Sequence, residues 1–352
     1  MIINILILTH ISPPAIDGGS KVIHQIGDYL LQKGHSILRI SSDCSSTDDF
    51  THPYQPVNSQ LPVYTIFHRP LKLFKLKGPV FKLIPFIKAT IKIIKFKPQL
   101  IIAGPLPTAI IFYAKFFQKL TGAKLLVNPS FHPSDPEFQN PIFLQILKSA
   151  NYLWTLTNHE TNYFKKLGFK NTLLLGNGVD QSFIIDKKNT HFPQTPNLLF
   201  IGSFAAHKGL DQLINLLPKL PNITLTIAGQ PTLYSPHLNF SHSRLKLVIK
   251  PSDRKIKQLL DHCTALVLPS TQESFGLVLI EAMARGKPVL VNPIPQLSEL
   301  ITKTKAGLPF NLKNTNYLLG HPQKYGLNGL GYVSKHYTWD KIGKSLCQKL
   351  SL

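Results

Sequence analysis

The sequence predicts an α/β protein of two domains, each built on a parallel sheet. Three observations carry this prediction. The length of 352 residues is enough for two separate cores. Short apolar strands alternate repeatedly with amphipathic helices. A polar stretch at 181–196 interrupts that alternation, which then restarts. The hydrophobic fraction of 43%, with 16% charged residues, is typical of a globular chain rather than a disordered one.

The first domain is predicted over residues 1–185. "NILILTH" reads as a strand, "GGSKVIHQIGDYLLQKGH" as a glycine loop and helix, and "SILRISS" as the next strand, which together make a βαβ unit. The alternation continues through "QLIIAG", "TAIIFYAKFFQKLTG", "AKLLVNPS", "YLWTLT", "NHETNYFKKLG" and "NTLLLG". The opening "MIINILILTH" lacks a basic start and a small-residue cleavage site, so we expect a buried strand there rather than a cleavable targeting segment.

The second domain is predicted over residues 195–337, after an exposed linker at 181–196. Its strands are expected in "NLLFIGSF", "ITLTIAG", "KLVIK" and "ALVLPS", with helices between them. A final helix is expected over 338–352. No run reaches the roughly 18 uncharged apolar residues that a membrane-spanning helix needs.

The charge is strongly basic, with 39 Lys and Arg against 17 Asp and Glu and a net charge of +22. Such a chain attracts anions, whether nucleic acid, nucleotide phosphates or an acidic membrane surface. No Asp or Glu occurs between Phe50 and Ser134, and the segment 69–97 interleaves lysines with bulky apolar residues. Lys88, Lys92 and Lys95 form one helical stripe, which suits either an anionic bilayer or a helix whose lysines simply face water.

Cysteine usage points to a reducing compartment. Cys44, Cys263 and Cys347 are odd in number and far apart, so they form neither a disulfide framework nor a metal-ligand spacing. Reduced cytosolic thiols and no metal site are therefore expected.

Two glutamates flank the start of a predicted helix in "ESFGLVLIEAMARGKPVL". Glu273 falls in the loop after the strand "ALVLPS", and Glu281 falls inside the helix that begins near Gly276, roughly 8 Å along its axis. That separation suits one extended ligand rather than one atom. Since a helix N-terminus attracts phosphate, carboxylates on either side of it fit a sugar nucleotide. The competing interpretation is a surface glutamate followed by an ordinary helix glutamate.

Other candidates follow predicted strands, at the edge where parallel sheets bind ligands. Gly18 and Gly19 precede a helix, where backbone N–H groups can approach a phosphate, although a tight turn explains them equally. Lys208 can hold a diphosphate as a point charge, or be one solvated lysine among many. His132 can donate to a sugar hydroxyl, or be one unremarkable histidine among fourteen.

The order of these motifs along the chain resembles a known family. The segments that carry the resemblance are "PPAIDGGSKVIHQIGDYLLQKGH", "SFHPSD", "TNHETNYFKKLG", "GNGVD", "FIGSFAAHKGLDQLI", "LTIAG", "LVLPSTQESFGLVLIEAMARGKPVL" and "YTWDKIGKSL". Together they resemble the retaining glycosyltransferases of family 4, the group 1 glycosyltransferases with the GT-B fold. The resemblance implies two Rossmann-like domains that face each other across a cleft, with the last helix crossing back to the first domain.

The resemblance also implies roles for the donor-site residues. Glu273 would contact the donor-sugar hydroxyls near the reacting carbon, and Glu281 the ribose hydroxyls. Lys208 would neutralise the leaving phosphate, and His132 would meet the donor sugar. The diphosphate would be held by backbone N–H groups at Phe275, Gly276, Leu277 and Gly19.

One position departs from the family pattern. Family members commonly carry Arg after the glycine of the "IG" turn, whereas this chain has Ser203 at the expected phosphate site. His207 or Lys250 is a candidate for the second cation. An inactive paralogue is the other reading, and the intact glutamate pair argues against it.

The implied activity is retaining, metal-independent transfer of a sugar, of the hexosyltransferase type, with a nucleotide-diphosphate-sugar as donor substrate and no cofactor. The acceptor would be a glycan or a lipid-linked sugar in cell-envelope or surface polysaccharide or glycolipid synthesis. The expected location is cytoplasmic, with peripheral contact to the membrane. Alternatives are a non-catalytic nucleic-acid or anion-binding protein and a GT-B sugar-nucleotide epimerase. A retaining glycosidase fits poorly, because its carboxylates lie only about 5 Å apart.

Overall fold

A computed structural model describes residues 2–11, 18–41, 63–64, 83–106, 108–132, 136–232, 235–236, 238 and 240–352. The chain divides into two compact units. One comprises Met1–Gly176 together with Ile342–Leu352, and the other comprises Asn177–Lys341. Each unit contains a parallel sheet with helices between its strands, so the predicted α/β class is confirmed.

The described part of the first unit contains a sheet of seven parallel strands. They are β1 (Asn4–Leu8), β2 (Ser36–Ile40), β3 (Val63–Tyr64), β4 (Leu100–Ala103), β5 (Lys124–Val127), β6 (Tyr152–Thr155) and β7 (Thr172–Leu174). Its described helices are α1 (Gly18–Gln32), α2 (Leu83–Phe96), α3 (Ile110–Thr121), α4 (Pro141–Lys148) and α5 (Asn158–Lys166). The strands are arranged in the order β3-β2-β1-β4-β5-β6-β7. Successive strands are added on one side of β1 up to β3 and on its other side from β4 onward, and open α/β sheets bind ligands at this switch point.

The central strands of this sheet form the middle of the first core. All four residues of β4 are buried, and β1 is buried at every position after Asn4. Strands that are covered on both faces read as continuous apolar runs rather than alternating ones. This explains why "LIIA" and "ILIL" stand out in the sequence.

In the second unit, the described residues form a sheet of six parallel strands. They are β8 (Asn197–Ser203), β9 (Thr224–Gln230), β10 (Leu245–Ile249), β11 (Ala265–Leu268), β12 (Val289–Val291) and β13 (Gly307–Pro309). Its helices are α6 (Leu210–Leu216), α7 (Asp253–His262), α8 (Leu277–Ala284), α9 (Pro295–Thr304), α10 (Leu312–Gly320) and α11 (Pro322–His336). The order β10-β9-β8-β11-β12-β13 reverses between β8 and β11, so the loops that follow these two strands meet at that point.

The division between the units lies at Gly176, ahead of the first-domain boundary expected at residue 185. The reason is that the chain beyond Gly176 already bonds to the second unit. Val179 donates its N–H to the Tyr337 carbonyl at 2.7 Å. Hydrogen bonding of this kind cannot be read from the local composition.

The segment 181–196 is largely exposed, as its composition suggests, but it belongs to the second unit rather than linking the two units. Ile185 donates its N–H to the Ala284 carbonyl at 3.2 Å. The ammonium group of the buried Lys287 donates to the His191 carbonyl. Backbone groups of the segment thus bond to the rest of the second unit while most of its side chains stay exposed.

The last helix, α12 (Trp339–Leu350), runs from one unit into the other, since its residues from Ile342 onward belong to the first. Gly343 lies so close to Tyr29 of α1 that a Cβ atom there would be 2.1 Å from the ring. Glycine is therefore needed for the helix to approach α1. None of the helices within the described ranges is both long and apolar enough to cross a bilayer.

Candidate active site

Glu273 lies on the loop between β11 and α8, in the second unit. The chain leaves β11 through Pro269 and Ser270, which end the strand. The buried Ser270 hydroxyl donates to Oε1 of Glu273 at 3.0 Å, and Glu273 itself is 8% exposed. A carboxylate this buried needs compensating partners, so its position is specified by the loop rather than by chance.

The main partner of Glu273 is Lys208. Lys208 lies at the end of a short 3-10 turn after β8, and its Nζ is 2.5 Å from Oε1 of Glu273. The two side chains are 18% and 9% exposed, respectively. Because β8 and β11 are neighbours at the reversal of the strand order, the sheet itself brings this cation and this carboxylate together.

Backbone contacts lock the two loops to each other. Thr271 donates its N–H to the His207 carbonyl at 2.8 Å. Gly209 has φ of +69°, and a Cβ atom there would be 2.2 Å from the Pro269 carbonyl oxygen. Only glycine combines this backbone conformation with so close an approach. Gly209 thus sets the distance between the lysine loop and the glutamate loop.

The N-terminus of α8 follows directly after Glu273. Gly276 is in the left-handed conformation with φ of 83°, and α8 begins at Leu277 without a side-chain cap. Phe275 is buried and packs edge-on against Tyr337, with ring centroids 5.5 Å apart. The first turn of a helix carries backbone N–H groups and a partial positive charge, which attract a phosphate. This turn begins four residues after Glu273, the carboxylate that pairs with Lys208.

Glu281 is half-buried in the second turn of α8, about 6 Å along the axis from Leu277. The helix therefore separates the two carboxylates, as the spacing predicts. Oxygen acceptors on either side of a cationic helix start can bind hydroxyl groups at the two ends of an anionic ligand. This arrangement can accommodate a ligand that is polar, extended and negatively charged in the middle.

Ser203 is the last residue of β8, where it pairs with Gln230 of β9. Its neutral hydroxyl supplies no charge at this strand end. Of the two candidate replacements, His207 lies in the same turn as Lys208, whereas Lys250 follows β10 and donates its N–H to the Gly229 carbonyl. Since β9 separates β10 from β8, His207 is the nearer substitute along the sheet.

In the first unit, Gly18 and Gly19 are the first two residues of α1 rather than the loop before it, which corrects the expected placement. A Cβ atom at Gly19 would be 2.6 Å from the Pro105 side chain and 3.4 Å from Oγ of Ser130. The chain thus approaches closely where β1, β4 and β5 end. The rest of "PPAIDGG" lies outside the described residues.

His132 is half-buried and follows the tightly held segment after β5. Oδ1 of Asn128 accepts hydrogen bonds from the Ser130 N–H at 3.1 Å and the Ser130 hydroxyl at 2.8 Å. The buried Phe131 stacks on Tyr163 at a centroid distance of 4.3 Å. His132 therefore extends from a rigid base. Residues 133–135 of the motif "SFHPSD" lie outside the described part of the chain.

Glu160 also holds this loop, and the sequence reasoning missed it. Its carboxyl group accepts from the Leu156 N–H at 2.5 Å and from the Phe131 N–H at 3.4 Å. Burial raises the pKa of Glu160 to about 8, against the lowering effect of these backbone hydrogen bonds. The available signal was the pattern Thr157-x-x-Glu160, a capping box, since Oγ1 of Thr157 accepts from the Glu160 N–H.

The described residues contain no group of three or more His, Cys, Asp or Glu side chains arranged to hold a metal ion. Cys263 and Cys347 are free thiols within the same ranges, and Cys44 lies outside them. Burial raises the pKa of Cys263 to about 12, so this thiol is neutral and unreactive near pH 7.

A protein-family model matches part of this chain. Residues 181–318 match the family described as Glycosyl transferases group 1. The match covers most of the second unit and contains Lys208, Glu273 and Glu281. The finer assignment to family 4 stays a prediction from the motifs.

Curated relatives are similar over part of their length. An uncharacterized glycosyltransferase of Methanocaldococcus jannaschii is 27% identical over 183 residues, which are 48% of this chain and 50% of the relative. A GDP-mannose:cellobiosyl-diphosphopolyprenol alpha-mannosyltransferase of Komagataeibacter xylinus is 26% identical over 168 residues, 44% of this chain and 42% of the relative. The chain thus spans about half the length of these relatives, or less.

Solved structures are similar over nearly the whole chain. Anabaena HepE in complex with UDP-glucose has a TM-score of 0.75 at 15% identity, covering 99% of both chains. Sucrose-phosphate synthase from Thermosynechococcus elongatus has a TM-score of 0.75 at 18% identity, covering 99% of this chain and 98% of the other. At such identities the likeness shows the fold, which is the GT-B fold of glycosyltransferases.

Proposed function

We propose that this protein is a glycosyltransferase that takes a sugar from a nucleotide-diphosphate-sugar and transfers it with retention of anomeric configuration. The observation that carries the proposal is the ion pair of Lys208 and Glu273 beside the N-terminus of α8. The match of residues 181–318 to group 1 glycosyltransferases supports it, since the pair lies inside that range. Among the fold's neighbours, HepE was solved with UDP-glucose.

In this proposal the donor binds along α8. Glu281 accepts hydrogen bonds from the ribose hydroxyls, and the first turn of α8, at Phe275, Gly276 and Leu277, receives the diphosphate. Glu273 accepts from hydroxyl groups of the transferred sugar. The ribose, the diphosphate and the sugar of the donor would thus meet Glu281, the start of α8 and Glu273, in that order.

Lys208 is proposed to stabilise the leaving group. As the bond between the anomeric carbon and the diphosphate oxygen breaks, negative charge grows on the diphosphate, and a fixed cation with aligned N–H groups stabilises that charge. These groups supply the electrophilic stabilisation without a metal. A Lys208 side chain that is already fixed by Glu273 loses little freedom when the phosphate arrives.

Retention follows from attack on the face that the diphosphate leaves, as the family resemblance implies. The acceptor oxygen then bonds to the anomeric carbon on that face, and its proton passes to an oxygen of the departing diphosphate. No covalent sugar–enzyme intermediate is needed. His132 and Gly19 of the first unit are assigned to the donor sugar and diphosphate only by the resemblance, and those roles stay predictions.

The acceptor is proposed to be a glycan or a lipid-linked sugar, in cell-envelope or surface polysaccharide or glycolipid synthesis. The basic first unit supports an acceptor or surface that is anionic. The Komagataeibacter xylinus relative is named for a polyprenol-linked acceptor. A cytoplasmic protein in peripheral contact with a membrane is the location that fits this proposal.

Two other functions are less well supported. A nucleic-acid-binding protein would explain the net charge of +22 but not the carboxylates of Glu273 and Glu281. A GT-B sugar-nucleotide epimerase would share the donor site but needs no acceptor. Salt-sensitive binding of RNA or DNA without binding of nucleotide sugars would favour the first alternative.

The proposal is tested by thermal unfolding of the wild type and Glu281→Ala with UDP, GDP, ADP and their sugar conjugates. We expect one base to raise the melting temperature selectively and Glu281→Ala to weaken that effect, because the ribose loses an acceptor. Lys313→Ala, in α10, serves as a control for a general charge effect. If no nucleotide raises the melting temperature, the proposed donor site is refuted. The absence of a cation at Ser203 would then be the first explanation to test.

A further inference from the structure

The outward face of α2 is apolar. Four isoleucines on this helix are three, four and three residues apart, a spacing that places them on one stripe. They are Ile84 at 67% exposed, Ile87 at 47%, Ile91 at 49% and Ile94 at 47%. The opposite side of α2 carries Ala89 at 2% and Ile93 at 0%, which pack in the core of the first unit. The helix is thus apolar on both its buried and its exposed side.

This surface continues onto α3. Phe116 and Leu120 are 43% and 44% exposed. The ring of Phe86, on α2, lies 5.4 Å from that of Phe116, which joins the two helices. We call these two residues and the four exposed isoleucines the apolar face of α2 and α3. Large exposed apolar side chains grouped on neighbouring helices mark a candidate interaction site.

Lysines line one edge of the isoleucine stripe. Lys88, Lys92 and Lys95 each follow an exposed isoleucine by one residue, which places them side by side next to the stripe. The sequence contains no Asp or Glu from Phe50 to Ser134, so this part of the chain has charge of one sign only. A row of apolar side chains beside a row of cations is the composition of a helix that lies in a bilayer surface.

We propose that the apolar face of α2 and α3 inserts into the surface of an anionic lipid bilayer, with the isoleucines among the acyl chains and the lysines at the headgroups. An acidic protein partner would satisfy the lysines but would require a matching apolar surface, whereas a bilayer supplies both. The fourteen residues of α2 are too few to span the membrane, so the helix lies along it. This inference rests on the membrane contact in the proposed function and names the surface that makes it, and it can be tested without a donor.

The isoleucine stripe locates the apolar part of the basic, apolar segment that the sequence predicts over 69–97. Residues 69–82 of that segment lie outside the described residues. In the described part, insertion of the exposed isoleucines contributes binding free energy that salt does not screen. The lysines contribute electrostatic attraction, which salt does screen. Binding to anionic vesicles should therefore weaken with salt without disappearing.

The test is cosedimentation of the full chain with vesicles of phosphatidylcholine and phosphatidylglycerol. We expect the wild type to bind, and Ile87→Ser with Ile91→Ser to bind about tenfold or more weakly, because two inserting side chains are lost. The matched control is Leu247→Ser with Ile249→Ser on β10, which are 39% and 48% exposed and should leave binding unchanged. Lys88→Gln with Lys95→Gln should remove the preference for anionic over pure phosphatidylcholine vesicles.

A second measurement does not depend on loss of binding. In Ile91→Trp, we expect a blue shift of the added tryptophan emission with anionic vesicles, and quenching by brominated lipid. An unchanged emission would overturn the proposal, as would full binding by the isoleucine double variant. A third outcome would also overturn it: the wild type forms dimers but does not bind vesicles, and the double variant stays monomeric. The face would then be an interface between two copies of the chain. Nucleotide-induced stabilisation of the same samples tests the donor site separately.

Discussion

The ammonium group of Lys208 lies 2.5 Å from the carboxylate of Glu273, across the carboxyl ends of two neighbouring strands. Both side chains are largely buried, so each compensates the charge of the other. The pair lies next to the N-terminus of α8, which places a cation, a carboxylate and a helix dipole in one small region. This region is the centre of the proposed donor site.

Glu273→Gln should lower turnover by about a hundredfold or more while changing donor affinity little, since the lost negative charge acts on the transition state more than on the bound donor. Glutamine keeps an oxygen that can accept from Ser270, so the loop should stay in place. Steady-state kinetics with the identified donor separate turnover from affinity. Turnover close to that of the wild type would remove Glu273 from the catalytic role.

Gly209→Ala should destabilise the protein and weaken nucleotide binding together. Alanine costs about 1 to 2 kcal/mol in the left-handed region, and here its Cβ atom also meets the Pro269 carbonyl oxygen at 2.2 Å. The matched control is Gly34→Ala, which has φ of +93° but no atom within 4 Å of the new Cβ. Urea denaturation and nucleotide titration measure the two effects. Equal losses in the two variants would show that the loop contact does not position Lys208.

Ser203→Arg should raise the affinity for the nucleoside diphosphate by about tenfold, because it adds a second cation at the end of β8. Ser203→Gln, which lengthens the side chain without charge, is the control. Titration calorimetry at fixed ionic strength measures the difference. If arginine gives no gain, another group already serves the phosphate, and His207→Gln should then weaken binding.

The buried Glu160 should make stability depend on pH. Its pKa is raised from 4.5 to about 8 by burial, so between these values the unfolded chain releases a proton that the folded protein keeps. The free energy of unfolding should therefore fall as pH rises through this window, by up to about 1.4 kcal/mol per pH unit. Glu160→Gln, which resembles the protonated acid, should lack this slope. The measurement is urea denaturation at a series of pH values from about 5 to about 8, within the window that the folded and unfolded pKa values of Glu160 define. Parallel curves for the two proteins would contradict the raised pKa.

Much of the fold could be predicted because buried parallel strands leave continuous apolar runs. The strand before Glu273 and the start of α8 at Gly276 are visible in the order of apolar residues, proline and glycine. The contact of Lys208 with Glu273 was not predicted, since it depends on strand order and on the approach of Gly209 to Pro269. Residues far apart in the chain give no local signal of such an approach.

The sequence predicts the mixture of lysines and apolar residues in α2, but not which apolar residues are exposed. Ile84, Ile87, Ile91 and Ile94 repeat at helical spacing, yet so do the core residues of the same helix. Because apolar residues occur on both sides of this helix, its sequence does not indicate which apolar side packs in the core. Only the packing of Ile93 in the core decides which apolar side remains outside.

The central claim is tested most directly by following donor turnover with proton NMR, using UDP-, GDP- and ADP-glucose with wild type and Lys208→Met. We predict that one donor slowly releases its nucleoside diphosphate to water, that the first sugar formed keeps the anomeric configuration of the donor, and that Lys208→Met slows this release about a hundredfold. A wild type that binds and consumes none of the donors, or a Lys208→Met variant that consumes them equally fast, would contradict the proposed site.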